Sequence, residues 1–472
     1  MPRRTKVVAT LGPACSEPAT LRAMLAAGVD VLRVNFSHPT DNLSQTLTHA
    51  RIIAAELNRP LALMADLQGP KLRIGHFKDQ HIELLNGQPF TLDCGSKKLG
   101  DTHFASVAYT NLCHEVNVGD HLVLGDGLIE LEVKSLSAPL IHCLVIEGGR
   151  LSDNQGLNRK GGGLAAKALT AKDKEDIKTA VDLGFDYLSL SFVKDENDIE
   201  EARLLVKKYG KRNISIVAKI ERIEALENLI EIIKATDVVM VARGDLGVEI
   251  GPAEVPAIQK EIIKQSRQLD KIVITATQMM ESMINQPQPT RAEVSDVANA
   301  ILDGTDAVLL TAETATGHYP VKVIAMVDKI CLSAEKHAGF FYNVDSESCH
   351  CYRPDQAIAM ATMHTANHFP INAIVALTES GASALWMSRH HSKVPIYAVS
   401  SNSQTVCQLS LVSNVFPILF DYHHTKPEKV NEQILNHLLK LDLIKADSFI
   451  LLTRGHLIGR PGGTSCMQII RV

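Results

Sequence analysis

Nowhere in the 472 residues is there an apolar run of the roughly 18 or more positions that a membrane-spanning helix needs, so no membrane crossing is expected. Charge of one sign is also lacking. The formal net charge is only −5, which argues against a general affinity for nucleic acid. The nine cysteines show no repeating spacing, and an odd number cannot pair fully within one chain, so reduced thiols in a cytoplasmic protein are the simplest reading. Cys349-His350-Cys351 has no second paired cluster and is a weak pattern for structural zinc; His390-His391 and His423-His424 read as surface residues. Met1-Pro2-Arg3-Arg4-Thr5 runs directly into the strand-like Lys6–Thr10 with no apolar core of a signal peptide, which again points to the cytoplasm. There is no GxxxxGK[ST] loop and no HRD or DFG signature. If phosphates are handled here, metal ions and discrete cations must do it.

Hydrophobic residues make up 45% and charged residues 21%, as in a soluble globular protein, and the length calls for two or three domains. Residues 1–66 alternate strand candidates (Lys6–Thr10, Val31–Phe36, Leu61–Asp66) with helical periodicity at Glu17–Ala27 and Asn42–Leu57, the order of a parallel sheet. From Gly69-Pro70 to about residue 165 the chain reads instead as short strands and turns, including a hairpin around Gly125-Asp126-Gly127 and a hinge-like Gly161-Gly162-Gly163. The βα rhythm then resumes with strands at Tyr187–Phe192, Ser215–Ala218, Asp237–Ala242, Lys271–Ala276 and Asp306–Leu310. Capping boxes at Thr170–Asp173 and Thr290–Glu293 open two of the intervening helices. Three strands plus five make eight. The expected architecture is a (β/α)8 TIM barrel over 1–69 and 166–344, interrupted by a small β-barrel domain at 70–165 and followed by a separate α/β domain at 345–472.

The chemistry sits where the apolar runs end. Ser215–Ala218 leads into Lys219-Ile220-Glu221, Val238–Ala242 into Arg243-Gly244-Asp245, Ile272–Ala276 into Thr277-Gln278, and Ala307–Leu310 into Thr311-Ala312-Glu313. The active face of a TIM barrel is assembled strand by strand in this way. Glu221 and Asp245, on neighbouring strand ends, could share one Mg²⁺ (or Mn²⁺). Lys219 could stabilise charge on a transferring phosphoryl group or on an enolate oxygen. Gly244 lets backbone amides approach a carboxylate, and Thr277 could orient a substrate or relay a proton. Arg33 and Arg73 are candidate phosphate forks, while Asn35, Ser37 and Asp66 offer oxygens suited to a monovalent cation. One such residue would read as a strand-end ion pair; four successive strand ends read as a catalytic face. Phosphoryl transfer and a metal-dependent lyase or aldolase reaction on an enolpyruvate unit both remain open on these residues.

Over essentially the full length, the chain resembles the pyruvate kinase family. The resemblance rests on Ala9-Thr10-Leu11-Gly12-Pro13, Arg33-Val34-Asn35-Phe36-Ser37-His38, Lys219-Ile220-Glu221 and Met240-Val241-Ala242-Arg243-Gly244-Asp245-Leu246-Gly247. Ala276-Thr277-Gln278-Met279, Pro289-Thr290-Arg291-Ala292-Glu293 and Ala312-Glu313-Thr314-Ala315 add to it. Each motif is modest alone; in this order and spacing they are specific. The resemblance implies phosphoryl transfer from phosphoenolpyruvate to ADP, giving ATP and, after protonation of the enolate, pyruvate. It implies Glu221 and Asp245 as ligands of the divalent metal, and Lys219 as the neutralising cation. Arg33, Lys219, Gly244, Asp245 and Thr277 would lie on the substrate, and Pro13, Asn35, His38 and Arg73 on the nucleotide. Thr277, Thr311 and Glu313 would form a proton-relay region, with the inserted domain as a lid and a homotetramer as the assembly.

The family commonly carries glutamate after the Gly-Pro of the third strand end and uses K⁺. Here that position is Lys71, close in sequence to Asn35, Ser37, Asp66 and Leu67 of the monovalent-cation region only through Asp66 and Leu67. An internal ammonium there leads to the expectation that K⁺ is not required. Gln155 stands where a lid lysine is usual, with Arg159 and Lys160 as substitutes; Pro39 and Thr316 replace a usual glycine and lysine. In the C-terminal unit, Thr378, Ser380, Gly381 and Ser383 open a helix as a phosphate nest, and Gly462-Gly463-Thr464-Ser465 resembles the family's closing loop. Glu379 would repel a second phosphate, so the expected phosphorylated small-molecule effector is a monophosphate.

Overall fold

Alternation along eight parallel strands explains both the core and the position of the polar residues. The strands, in a computed structural model that describes all residues except 1, 39–41, 126, 164–166, 211, 338–352, 391 and 457–461, are Lys6–Thr10, Val31–Asn35, Ala62–Asp66, Tyr187–Leu190, Ser215–Ile220, Val238–Ala242, Ile272–Ala276 and Ala307–Leu310. Each pairs with the next, and the first closes on the eighth through Lys6↔Ala307 to Ala9↔Leu310. The third and fourth meet across the insertion at Met64↔Tyr187 and Asp66↔Ser189. Val7, Ala9, Leu32, Val34, Val239 and Val241 pack outward among the helices, while Val8, Val31, Met64, Tyr187, Val217 and Met240 fill the barrel. Burial on both faces is why these strands read as unbroken apolar runs.

The inward set changes character along the axis. It runs Val31-Arg33-Asn35 on strand two, Ala62-Met64-Asp66 on strand three, and Val217-Lys219-Glu221 on strand five, by the period of two. The apolar end is continuous with buried residues of the C-terminal domain, such as Met363, Ile374 and Met387. The polar end is the open face. Strand five is longer than the sequence indicated, so Lys219 lies within it, and strand four stops at Leu190, two residues before Phe192 at φ 57°.

The insertion, expected as a small β-barrel, is a curled half-barrel. One six-stranded sheet, a two-stranded ribbon and the short helix Leu112–Glu115 enclose a core of Phe77, Phe90, Leu92, Leu131 and Ile141. The expected hairpin joins His121–Leu124 to Ile129–Ser137; Asp126 of its turn lies outside the described residues. Its root is paired: Ile74 N–H donates to Gln155 O (3.1 Å) and Leu157 N–H to Leu72 O (2.9 Å). Gly161, Gly162 and Gly163 all have φ between 73° and 87°, a conformation a side chain would resist, at the point where the chain returns to the barrel.

Both expected capping boxes form, with Thr170 and Thr290 accepting from Asp173 and Glu293 amides. The C-terminal sheet runs Val415–Leu419, Ile396–Ser400, Ile371–Leu377, Phe449–Gly455 and Thr464–Arg471, the last antiparallel. Both outer strands escaped the sequence reading. One contains Pro417, tolerated at a sheet edge, and the other is half exposed. The boundary placed at 344/345 and Cys349-His350-Cys351 lie outside the described residues, as do Pro39 and His391. His423 and His424 are exposed as expected, whereas His390 is half-buried. The seven described cysteines are unpaired, and no helix among the described residues is long and apolar enough to cross a membrane.

The two large domains are joined by a buried ion pair. Asp306, fully buried at the base of strand eight, accepts Arg389 of the C-terminal domain (Nη1 at 3.0 Å, Nη2 also bonded), Val273 N–H (2.9 Å) and Ser413 N–H (3.0 Å). Burial alone would raise its pKa, but the Arg389 guanidinium and these donors hold it below the usual value. A depressed folded pKa stabilises above the unfolded value and is lost as pH falls through the folded one. Arg389→Met should therefore destabilise the protein by about 3–5 kcal/mol at neutral pH in urea titrations, by stranding a buried carboxylate. The gap to wild type should narrow as pH falls and the stranded group protonates.

Candidate active site

A chain of charges crosses the barrel mouth. Lys219 Nζ lies 2.8 Å from Glu221 Oε1 and 3.6 Å from Asp66 Oδ1, and donates to Ser191 Oγ at 2.8 Å. Arg33 Nε donates to Asp66 Oδ2 at 2.6 Å, and its Nη1 to Thr10 Oγ1 at 2.8 Å. Strands one, two and three thus each supply one member, strand five supplies Lys219 and, just past its end, Glu221, and Ser191 follows strand four. Burial would discharge Lys219, but Asp66 and Glu221 outweigh it and hold its pKa above the ordinary lysine value. It is an ammonium throughout the neutral range. Asp66 is likewise driven down against its burial by Lys219 and Arg33. Glu221 is pushed the other way, by burial and then by the negative charge of Asp245, against the pull of Lys219.

Those opposing pulls fit a divalent cation between Glu221 and Asp245. Glu221 is 1% exposed, with Oε2 accepting Phe192 N–H at 2.7 Å, and the negative charge of Asp245 acts on its carboxylate. Among the described residues no group of three or more His, Cys, Asp or Glu side chains could hold a metal by itself. Two carboxylates leave positions for substrate oxygens and water, the arrangement Mg²⁺ favours. Asp245 Oδ1 is paired with Lys71 Nζ at 2.8 Å, a contact across 174 positions that the sequence did not disclose. In the monovalent-cation region, Asp66 Oδ1 is buried without a hydrogen-bond donor, while Asn35 Oδ1 already accepts Ser37 N–H at 3.0 Å. Leu67 contributes its carbonyl to Ser191 Oγ–H at 2.7 Å.

Thr277 and Gln278 stand at φ 65° and 53°, a strained conformation for a β-branched residue. What holds them is Arg243, which sequence reading had left without a role. Its Nε donates to Ala276 O (3.2 Å), Nη2 to Thr277 O (2.6 Å) and Nη1 to Asp296 (2.8 Å). Thr277 Oγ1 accepts Gly244 N–H (2.9 Å) at the start of the helix Arg243–Ile250 and donates to Ala276 O (2.7 Å). Glu313 is buried and saturated by Met280 N–H (3.1 Å), Thr311 N–H (2.7 Å) and Thr311 Oγ–H (3.0 Å). It binds the end of strand eight to the Thr277 turn.

The nucleotide-side candidates are more dispersed. Pro13 and His38 are exposed on loops at the same face, with His38 N–H on Asn35 O (3.2 Å). Arg73 is at the root of the insertion, half-buried, donating to Asn154 O (2.8 Å), and among the described residues no hydrogen bond joins it to Arg33. In the C-terminal domain, Thr378, Glu379, Ser380 and Ser383 line one pocket with Tyr422, Arg454 and Trp386. Gly381 N–H is already bonded to Thr378 Oγ1 (2.9 Å), but the buried Ser383 Oγ has no partner. Tyr422 O–H donates to Glu379 Oε1 at 2.5 Å. Tyr422 and Arg454 were missed, although Arg454 closes a strand in the way the barrel residues do.

A (β/α)8 barrel with an ammonium bracketed by carboxylates, a further carboxylate beside them and a β insertion at its mouth has the form of an enzyme that acts on small charged substrates. The comparisons with known proteins are specific. Residues 2–324 match the barrel domain of pyruvate kinase, and residues 356–470 its alpha/beta domain. The chain is 45% identical over 480 residues to a pyruvate kinase of Buchnera aphidicola subsp. Baizongia pistaciae, covering 100% of this chain and 99% of that one. It is 44% identical over 477 residues to pyruvate kinase II of Salmonella typhimurium (100% and 99%), and 43% over 462 to a pyruvate kinase of Haemophilus influenzae (96% and 96%). The chain belongs to the pyruvate kinase family.

Arg243→Lys removes the fork that clamps the Thr277 turn but leaves Glu221 and Asp245 in place. Turnover should fall about 100-fold, as expected for misplacement by an ångström. Mn²⁺ binding followed by electron paramagnetic resonance should be within two-fold of wild type, by the approximate additivity of separate sites.

Proposed function

We propose that this chain transfers the phosphoryl group of phosphoenolpyruvate to ADP and then protonates the enolate, yielding ATP and pyruvate. The observation that carries the reading is Lys219, a permanently charged ammonium fixed between Asp66 and Glu221 at the mouth of a family-matched barrel. With its raised pKa it cannot act as a base near neutrality, so its part is to neutralise charge as the phosphoryl group leaves and the enolate forms. Mg²⁺ or Mn²⁺ bound by Glu221 and Asp245 would supply Lewis-acid stabilisation of the substrate oxygens. Arg33 grips phosphate. The start of the helix Arg243–Ile250 at Gly244 and Asp245, with Thr277, orients the substrate carboxylate. Thr277, Thr311 and water deliver the proton, in a geometry kept by Glu313. Pro13, Asn35, His38 and Arg73 receive the nucleotide, and the insertion closes over it to exclude water that would divert the phosphoryl group.

In this reading Lys71 provides the positive charge for which relatives with glutamate there use K⁺. The pocket at Ser383 and Arg454 takes a phosphorylated monophosphate effector, with Tyr422 keeping the Glu379 carboxylate in the wall against a second phosphate. The enzyme is a cytoplasmic homotetramer, to which the half-exposed outer strand Thr464–Arg471 offers an unpaired edge.

Pyruvate formation from phosphoenolpyruvate, ADP and Mg²⁺ should proceed in both K⁺-free and K⁺-containing buffer. Turnover that collapses without K⁺ would remove the role of Lys71, and substrate consumption without ADP would favour the lyase reaction. At sub-saturating phosphoenolpyruvate, AMP or a sugar monophosphate should raise the rate; a response confined to a sugar bisphosphate would overturn the effector assignment.

A further inference from the structure

We propose that Lys71 is a displaceable latch: without metal its ammonium occupies Asp245 and ties the lid root to the barrel, and divalent-metal binding releases it. The inference rests on Glu221 and Asp245 being the metal ligands. Lys71 follows Gly69-Pro70 on the segment that enters the insertion, and residues 72–74 are hydrogen-bonded to residues 155–157 of the returning segment. Its Nζ reaches Asp245 Oδ1 at 2.8 Å, on the helix Arg243–Ile250 of the barrel. Its stem lies against Gly156, where a Cβ would come within 3.0 Å of Lys71 Cε. One side chain therefore touches both strands of the lid root and a metal carboxylate.

Charge balance gives the latch its direction. Asp66, Glu221 and Asp245 face Arg33, Lys219 and Lys71, three carboxylates against three cations, so the face is compensated before any metal arrives. A dication at Asp245 would stand close to an ammonium already bonded to the same carboxylate, and like charges at that distance repel. The Lys71 and Asp245 side chains are each 22% exposed, so Lys71 can swing from Asp245 to an incoming substrate anion, where its charge takes the place of K⁺, without being stranded in an apolar interior. By contrast Lys219, 14% exposed and braced by Ser191, Asp66 and Glu221, has nowhere to go. Linkage then requires reciprocity: the latch weakens metal binding by the factor by which metal opens the latch.

The test uses Mn²⁺ without substrate, with bound ion read by electron paramagnetic resonance and lid mobility by hydrogen exchange at residues 72–74 and 155–157. In the wild type, Mn²⁺ should speed exchange at these amides. In Lys71→Met exchange should already be fast and insensitive to Mn²⁺, and Mn²⁺ should bind about five-fold or more tightly than in wild type. Lys71→Gln repeats the loss of charge if the methionine variant folds poorly. Unchanged Mn²⁺ affinity would overturn the latch, as would tighter binding with no change in exchange, which is a general charge effect. Glu221→Gln keeps the two failures apart: if it leaves Mn²⁺ affinity unaltered, the metal assignment itself is wrong.

Discussion

The site is organised around one ammonium held between two buried carboxylates. Taking Lys219, Asp66 and Glu221 out of water separately would discharge each of them; held together, Lys219 and Asp66 keep their charge, and only Glu221, crowded by Asp245, is drawn toward its neutral form. The three residues come from strands three and five, which are not neighbours, and Ser191 from the end of strand four fills the gap between them. The arrangement exists only if the barrel closes in this register. A slip of one residue on strand five would turn Lys219 and Glu221 outward into the apolar helix layer, at the positions Ile216, Ala218 and Ile220 now occupy. Chemistry and strand register are the same constraint.

The second half of the face is built on strain. Thr277 is placed by a turn that its own side chain disfavours, and three independent holds fix it: the Arg243 fork from below, Gly244 N–H on its hydroxyl, and Glu313 binding Met280 to strand eight. Glu313 and Arg243 touch backbone rather than open space. Their contribution is positional, and it explains why the motifs around strands six, seven and eight include charged residues that point away from any ligand.

How much of this was legible depended on the distance over which the causes act. Eight apolar runs with reactive ends were visible because burial on both faces is written locally, and strand boundaries shifted only by one or two residues. Glu221, Asp245, Lys219 and Thr277 were found as strand ends. The hold of Arg243 on the Thr277 turn was not legible, because its partners there are carbonyls, which no side-chain pattern reveals. Lys71 was read as a stand-in for a monovalent cation, and its bond to Asp245 was invisible from positions 174 apart. The two edge strands of the C-terminal sheet, one with a proline and one half exposed, lack the alternation or burial that would announce them.

The C-terminal domain is joined to this face by more than proximity. The eight-residue helix Ala382–Arg389 starts at the pocket containing the unpartnered Ser383 hydroxyl and ends at Arg389, which grips Asp306. Asp306 directly precedes strand eight, and directly after that strand comes Thr311, whose amide and hydroxyl bind Glu313 and through it the strained turn. Contiguity alone does not make coupling; an element with two discrete arrangements does. The Asp306 cluster is observed in one arrangement, and it is closed on every side. Both its oxygens are taken by donors from two domains, and in a buried setting none can be released singly without leaving a charge or an amide unsatisfied. A clamp of this kind does not yield by degrees. It holds as a set, and through it the C-terminal helix and strand eight are fixed by the same buried carboxylate.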